Sequence, residues 1–267
     1  MDYETIILKK EEGVATIILN RPDKGNSINI KMSEELPLAL EEVVRDKEVR
    51  VMILTGAGRG FCGGGDVGVM SEGGDYSQPP PEKLRQFINE VVQGITRTLQ
   101  RMEIPTIAMV NGFAVGGGFD YACACDMRIG SENARFTNAF IKVGLVPETG
   151  GCYLLPRIVG LSKALDILYS GKWVDAKEAE KIGLLNKLVP AEELEKETME
   201  LAKQIAKSAP IAMKLTKQLA INGLESDLDT ALNMAAAYQA VVTSTQDHQE
   251  GLAAWLEKRE PVFKGNC

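Results

Sequence analysis

The chain has 267 residues, 45% apolar and 25% charged, the profile of a globular protein with a sizeable core and no apolar run near the ~20 residues of a membrane span. The 37 acidic against 30 basic side chains give a net charge of −7, which argues against the basic face that nucleic-acid binding needs. One histidine, His248, and five cysteines without metal-type spacing argue against zinc sites and serine–histidine–aspartate triads; acid–base chemistry falls to carboxylates, and the thiols to a reducing cytoplasm.

The acidic start, Met1 to Thr5, lacks the apolar core of a signal peptide, in keeping with a cytoplasmic protein. Thr5 to Lys9 and Val14 to Asn20 read as strands joined by Glu11-Glu12-Gly13. A polar loop, Asn20 to Ser27, leads to a helix from Lys31 to about Arg45. Ser33 is its candidate cap, and Pro37 is expected in a first turn or at a kink. Arg50 to Thr55 is a buried strand running into Gly56-Ala-Gly-Arg-Gly-Phe-Cys-Gly-Gly-Gly-Asp66. That cluster lacks the Gly-Lys-Ser/Thr ending of a phosphate-binding loop and the glycine spacing of a dinucleotide fold. Ser71 to Pro81 is dense in turn formers, either a loop over a pocket or a surface connection. Glu82 to Arg101 is an amphipathic helix, with Leu84, Phe87, Ile88, Val91, Ile95, Leu99 and Met102 near helical spacing.

Ile104 to Asp126 is the centre of the chain. Thr106 to Val110 is a strand, Asn111-Gly112 breaks it, Gly116-Gly117-Gly118 follows, and Phe119 to Cys125 reads as helix. A strand that turns through glycine into a helix leaves N–H groups unpaired at a positive helix end, which suits an anion or a developing oxyanion. Asp120 stands one turn inside that end. A tight turn for close packing is the alternative reading. The Gly63–Asp66 cluster repeats the arrangement, so two loops could offer two N–H donors to one oxygen. Cys123-Ala-Cys125 reads as buried small residues rather than a redox pair. Farther on, Gly144 to Gly151 makes a third glycine turn, with Glu148 and Thr149 at the start of a helix through Val159. Glu148 there is either a dipole-complementing residue or an acid–base group. From Glu192 the chain is helical almost to its end. Its faces, such as Leu228, Ala231, Met234, Ala235 and Tyr238, are apolar enough to pack against another subunit, and His248 reads as a solvated surface residue.

Taken in order, Asn20-Arg-Pro, Gly60-Phe-Cys-Gly-Gly-Gly-Asp66, Val110-Asn-Gly-Phe-Ala-Val-Gly-Gly-Gly118, Cys125-Asp-Met-Arg, Gly144-Leu-Val-Pro-Glu-Thr-Gly-Gly151, Lys181-Ile-Gly-Leu-Leu-Asn186, and Lys258-Arg to Phe263-Lys264 resemble the crotonase (enoyl-CoA hydratase/isomerase) superfamily over nearly the whole chain. The resemblance implies an α/β fold, a spiral of ββα repeats over residues 1–195, with a helical oligomerisation region at 196–267 that builds a homotrimer or a dimer of trimers. It implies an acyl-CoA thioester substrate, with CoA entering as part of the substrate and no separate cofactor or metal. The thioester carbonyl would sit between the N–H groups of Gly65 and Gly117. The resemblance also gives Lys24, Asn26, Gly63, Asp66, Val67 and Phe140 as substrate contacts, with Phe263 and Lys264 reaching CoA from a neighbouring subunit.

Hydratases of the family carry a glutamate at the position of Asp120 and another at the position of Phe140, and the second is absent here. Glu148 stands where family isomerases carry their base. The resemblance therefore implies an enoyl-CoA double-bond isomerase with Glu148 as base and Asp120 as a second proton carrier, water holder or orienting group. Hydration by Asp120 and Glu148 together is the alternative. Nucleophilic catalysis at Glu148, RNA binding and an idle scaffold are weaker readings: His248 is poorly placed for the first, the acidic balance opposes the second, and the glycine sites with two carboxylates oppose the third. Acyl specificity is expected from Met70 to Leu84 and from Phe140.

Overall fold

The computed structural model describes residues 2–66, 68 and 80–266. Strands β1 (Ile6–Glu11) and β2 (Val14–Leu19) form an antiparallel hairpin. Its turn residues Glu12 and Gly13 both take positive φ, 47° and 77°, the twist that joins hairpin strands without splaying them. Parallel pairing then adds β3 (Val51–Gly56), β5 (Thr106–Val110), β7 (Met127–Ser131) and β10 (Lys187–Val189), giving a six-stranded sheet in the order β1-β2-β3-β5-β7-β10. A second sheet, β4-β6-β8-β9, is built from β4 (Gly60–Cys62), β6 (Phe113–Val115), β8 (Arg135–Thr137) and β9 (Val174–Asp175). Each pair β3/β4, β5/β6 and β7/β8 carries the chain from the first sheet to the second and then into a helical segment. That is the expected spiral of ββα repeats.

Side chains of β3 alternate between two cores, which is why all six of its residues are buried. Met52 and Leu54 face the main core with α1 (Ile30–Arg45), whereas Val51 and Ile53 join Ile107 and Ile129 beneath α8 (Leu194–Ala206). Each such buried aliphatic contributes roughly 1.5–3 kcal/mol. The expected division at residues 195 and 196 falls inside α8, whose Ala202 is fully buried against this sheet.

Helix α1 is capped by Asn29, whose side chain accepts from Met32 N–H; Ser33 lies within the first turn and donates to the Ile30 carbonyl. Pro37 falls in the helix interior, where it removes the N–H that would bond the Ser33 carbonyl. The expected helix over 82–101 is present as α2 (Pro81–Phe87), a π-helical turn at Ile88–Val92 and α3 (Gln93–Arg101). Of its apolar stripe only Ile95 and Leu99, with Met102 just beyond, are buried in the core.

The C-terminal helices α9 (Pro210–Gly223), α10 (Leu228–Thr243) and α11 (Gln246–Glu257) stand away from the sheets, with Leu224, Leu228, Leu232, Trp255 and Leu256 exposed. The tail folds back on α11, where Asp247 accepts from the N–H groups of Lys264 and Gly265, and Glu250 from that of Val262.

Candidate active site

Strand β6 ends at Val115, and Gly116, at φ 50° and ψ −119°, turns the chain into α4 (Gly117–Ala124). The helix thus starts two residues before the expected Phe119. Its first N–H, on Gly117, has no acceptor within the helix. The Gly63–Asp66 loop packs directly against this start. A Cβ on Gly64 (φ 85°) would lie 2.6 Å from the Val115 carbonyl oxygen and 3.5 Å from the Gly117 nitrogen. Gly65 is bridged to Ile28: Ile28 N–H donates to the Gly64 carbonyl (2.7 Å) and Asp66 N–H to the Ile28 carbonyl (2.9 Å). In a parallel bridge of this kind the Gly65 N–H is turned away from Ile28. Among the described residues neither the Gly65 nor the Gly117 N–H has a backbone acceptor. Among the described residues the two expected donors thus make no backbone hydrogen bond, and they lie on abutting loops. Phe140, in a 3₁₀ turn at Ala139–Val143, closes one side; its ring is 3.5 Å from the Cβ position of Gly116.

Asp120 is 1% exposed, and both oxygens of its carboxyl are hydrogen-bonded within the protein. One oxygen accepts from Asn138 Nδ2 (2.9 Å), the other from Thr149 Oγ1 (2.5 Å), and Gly151 N–H also donates to it. Gly151 has no space for a side chain, since a Cβ there would stand 2.3 Å from Asp120 Oδ1. Burial pushes the Asp120 carboxyl up, with a smaller push from the Glu148 charge. The Thr149 and Gly151 donors pull it back, and the balance is about 7. Asp120 thus holds the turn that carries Glu148.

A pH dependence follows from this burial. Between the ordinary 3.8 and about 7 the native state keeps a proton that the unfolded chain has released, so the contribution of Asp120 to stability falls as pH rises through that window. Relative to Asp120→Asn, the wild type should lose up to about 4 kcal/mol of unfolding free energy between pH 4 and pH 7.5. Urea midpoints for the two proteins across that range check it, and parallel curves would refute it.

Glu148 does not open a helix. Gly150, at φ 112°, precedes α5 (Gly151–Val159), so Glu148 and Thr149 lie in the turn before it. The Glu148 side chain is half-buried, and no cation reaches it among the described residues. Burial raises its pKa above the usual glutamate value of 4.5. Its backbone is clamped from α3: Gln93 Nε2 donates to the Glu148 carbonyl (2.9 Å), and Thr96 Oγ1 to the Thr149 carbonyl (2.6 Å). Gln93 also lines an open cleft of about 510 Å³ with Leu84, Ile88 and Arg97. Gln93, Thr96 and Asn138 carried no signal in the sequence.

The expected CoA loop is mixed. Asn26 is a framework residue, which corrects its expected role. It is fully buried, accepts from Arg21 N–H and donates to the carbonyls of Ala57 and Gly60, so no polar group is left for a ligand. Gly63 is pinned by its N–H to the Gly25 carbonyl. Burial alone would raise the Asp66 carboxyl, but Arg21 (2.9 Å) and Gly68 N–H hold it below its usual value. Lys24 is exposed at the loop rim. Val67 lies outside the described residues, as do 70–79 of the segment expected to set acyl specificity. Phe263 and Lys264 lie on the tail, where the Phe263 carbonyl accepts from Arg50 and the ring packs on Gly251. Among the described residues no three histidine, cysteine, aspartate or glutamate side chains cluster as a metal site, and no helix is long and apolar enough to cross a membrane.

A family model described as enoyl-CoA hydratase/isomerase matches residues 9–266. The chain belongs to that family. Among enoyl-CoA hydratase/isomerase relatives, the crotonyl-CoA hydratase of Syntrophomonas wolfei is 38% identical, covering 98% of this chain and 99% of its own length. The 1,2-epoxyphenylacetyl-CoA isomerase of Escherichia coli is 37% identical, covering 98% and 99%. The crystal structure of enoyl-CoA hydratase from Bacillus anthracis superposes with a TM-score of 0.92 at 34% identity, covering 98% of this chain and all of the other. This is a crotonase-type enzyme of the enoyl-CoA hydratase/isomerase family, as the motifs implied. The relatives' names are mostly those of hydratases, which favours the hydratase alternative over the isomerase reading given first.

Proposed function

We propose that this enzyme adds water across the double bond of a 2-enoyl-CoA, with Glu148 as the carboxylate that moves the protons. The observation that carries the site assignment is a half-buried glutamate without a cation partner among the described residues, on a turn whose Thr149 lies 3.4 Å from the Cβ position of Gly117. The hydratase-named relatives at 38% identity support hydration as the outcome. In this reading the thioester oxygen accepts from Gly65 and Gly117. Glu148 takes a proton from the water that bonds to C3, negative charge gathers on the thioester oxygen as the enolate, and the same proton is returned to C2. Each N–H donor stabilises that charge by roughly 3 kcal/mol. Asp120 contributes by holding Thr149 and Gly151, and Phe140 walls the pocket.

Isomerisation is the second reading, favoured by the hydrogen bonds on both Asp120 oxygens, which leave one free carboxylate. Glu148 would then remove a proton from C2 of a 3-enoyl thioester and return it at C4. Separate incubations with a 2-enoyl-CoA and with a 3-enoyl-CoA in oxygen-18 water distinguish the two. Label in a 3-hydroxyacyl-CoA product supports hydration. Unlabelled 2-enoyl-CoA formed from a 3-enoyl-CoA, with no hydroxyl product, overturns it in favour of isomerisation.

The remaining assignments belong to the same proposal. Exposed Lys24 suits the phosphates of CoA, with Asp66 and Val67 beside the thioester arm and Phe263 and Lys264 supplied by a neighbouring copy. The exposed apolar faces of α10 and α11 suit a homotrimer or a dimer of trimers. The protein works in the cytoplasm and uses no cofactor beyond its CoA substrate.

A further inference from the structure

We propose that Arg97 and Gln93 form a positioning relay that sets the orientation of the Glu148 peptide; the proposal rests on Glu148 as the proton-handling group. Three observations carry it. Gln93 Nε2 donates to the Glu148 carbonyl (2.9 Å), while its Oε1 accepts from Arg97 Nη2 (2.9 Å). Arg97 is in turn fixed on Asn89, with Nη1 on its carbonyl (2.5 Å) and Nη2 on its side-chain oxygen (2.6 Å). Thr96, one residue before Arg97, holds the next carbonyl of the same turn.

The chemistry of the partners admits only one arrangement. A guanidinium has donors and no acceptor, and a peptide carbonyl has acceptors and no donor. The Gln93 amide satisfies both only with its oxygen toward Arg97 and its nitrogen toward Glu148. Arg97 therefore selects the amide orientation, and the amide selects the direction of the Glu148 carbonyl. The peptide plane fixes where the carboxylate starts from. Asn89, Gln93 and Arg97 stand at spacings of four along this helix, with the π-helical bond from Gln93 N–H to the Ile88 carbonyl at its centre. Arg97 is exposed, so it is dispensable to the core.

Arg97→Ala and Gln93→Leu should each lower kcat roughly tenfold, with KM within about twofold of wild type and no fall in melting temperature for Arg97→Ala. The double variant should be no worse than Gln93→Leu, because the two act in series. Gln93→Glu should fare no better than Gln93→Leu, since a carboxylate accepts from Arg97 but cannot donate to the Glu148 carbonyl. Steady-state kinetics on a short-chain 2-enoyl-CoA and a 3-enoyl-CoA, with Glu148→Gln in parallel, test all of this. Wild-type kcat in Arg97→Ala and Gln93→Leu beside an inactive Glu148→Gln would overturn the relay and leave the base in place. Full activity in Glu148→Gln would overturn the base and the relay with it. Losses that are additive, or that appear in KM rather than kcat, would make the contacts ordinary packing and also overturn the relay.

Discussion

Glu148→Gln should lower kcat by roughly 10²- to 10⁴-fold while leaving the melting temperature within a degree or two of wild type. Glutamine matches glutamate in shape but cannot take a proton from water or from C2, so the loss falls on the chemical step under either reaction outcome. No cation would be left unpaired, because none reaches Glu148 among the described residues, and the half-buried site loses a desolvated charge rather than an ion pair. The same burial fixes the sign of the pH response. Glu148 must be ionised to act as base, and its pKa is raised, so kcat/KM of the wild type should fall on the acid side at a pH above the ordinary 4.5. Rate profiles from pH 5 to 9 on both proteins decide the matter. A glutamine variant of near wild-type kcat would remove Glu148 from the reaction.

Gly64→Ala should cost both activity and stability. At φ 85° alanine is strained, and its Cβ would stand 2.6 Å from the Val115 carbonyl oxygen, a backbone atom that cannot swing aside. Val115 leads through Gly116 into Gly117, so relief of the clash parts the Gly65 and Gly117 donors. A misplaced oxyanion donor costs about 10²- to 10³-fold in kcat. Strain and displacement together should lower the unfolding free energy by about 2 kcal/mol. Gly183→Ala is the control: it shares the positive φ, 77°, yet its Cβ would meet nothing within 4 Å. It should lose about 1 kcal/mol and no activity. Equal losses of kcat in the two variants would show that contact between the glycine loops is irrelevant to the reaction.

Strands and glycine loops were legible in the sequence because their signals are local. Apolar runs of strand length marked β2, β3 and β5, and the glycine triplets marked the two abutting turns. The helix ends were less legible. Asn29 and Ser33 are both capping residues, and only the geometry at Met32 N–H chooses Asn29. Glu148 was expected inside a helix because nothing in Gly150 announces its φ of 112°. For Asp120 the sequence leaves a proton carrier, a water holder or an orienting group open, because its partners Asn138 and Thr149 lie 18 and 29 residues away with no pattern to link them. Helical spacing marks the apolar stripe of 84–102 but not its division: Leu84 and Ile88 line the cleft and only its later members enter the core. Motif order pointed to the family, and tertiary contacts define the surroundings of Asp120 and Glu148.

The π-helical turn has a further meaning for the cleft. Leu84, Ile88, Gln93 and Arg97 stand at spacings of four, five and four, and all four border the same cleft. An unbroken α-helix advances 100° per residue, so a five-residue step would carry Gln93 about 140° from Ile88 and out of the row. The wider turn absorbs that step. The apolar positions that border the cleft and the polar positions that hold the Glu148 turn are thereby phased onto one stripe. Drawn into a regular α-helix with all of its residues kept, the same segment would put its two halves about 100° out of phase. The cleft wall and the clamp on the Glu148 turn would then move together, although neither Leu84 nor Glu148 had been touched.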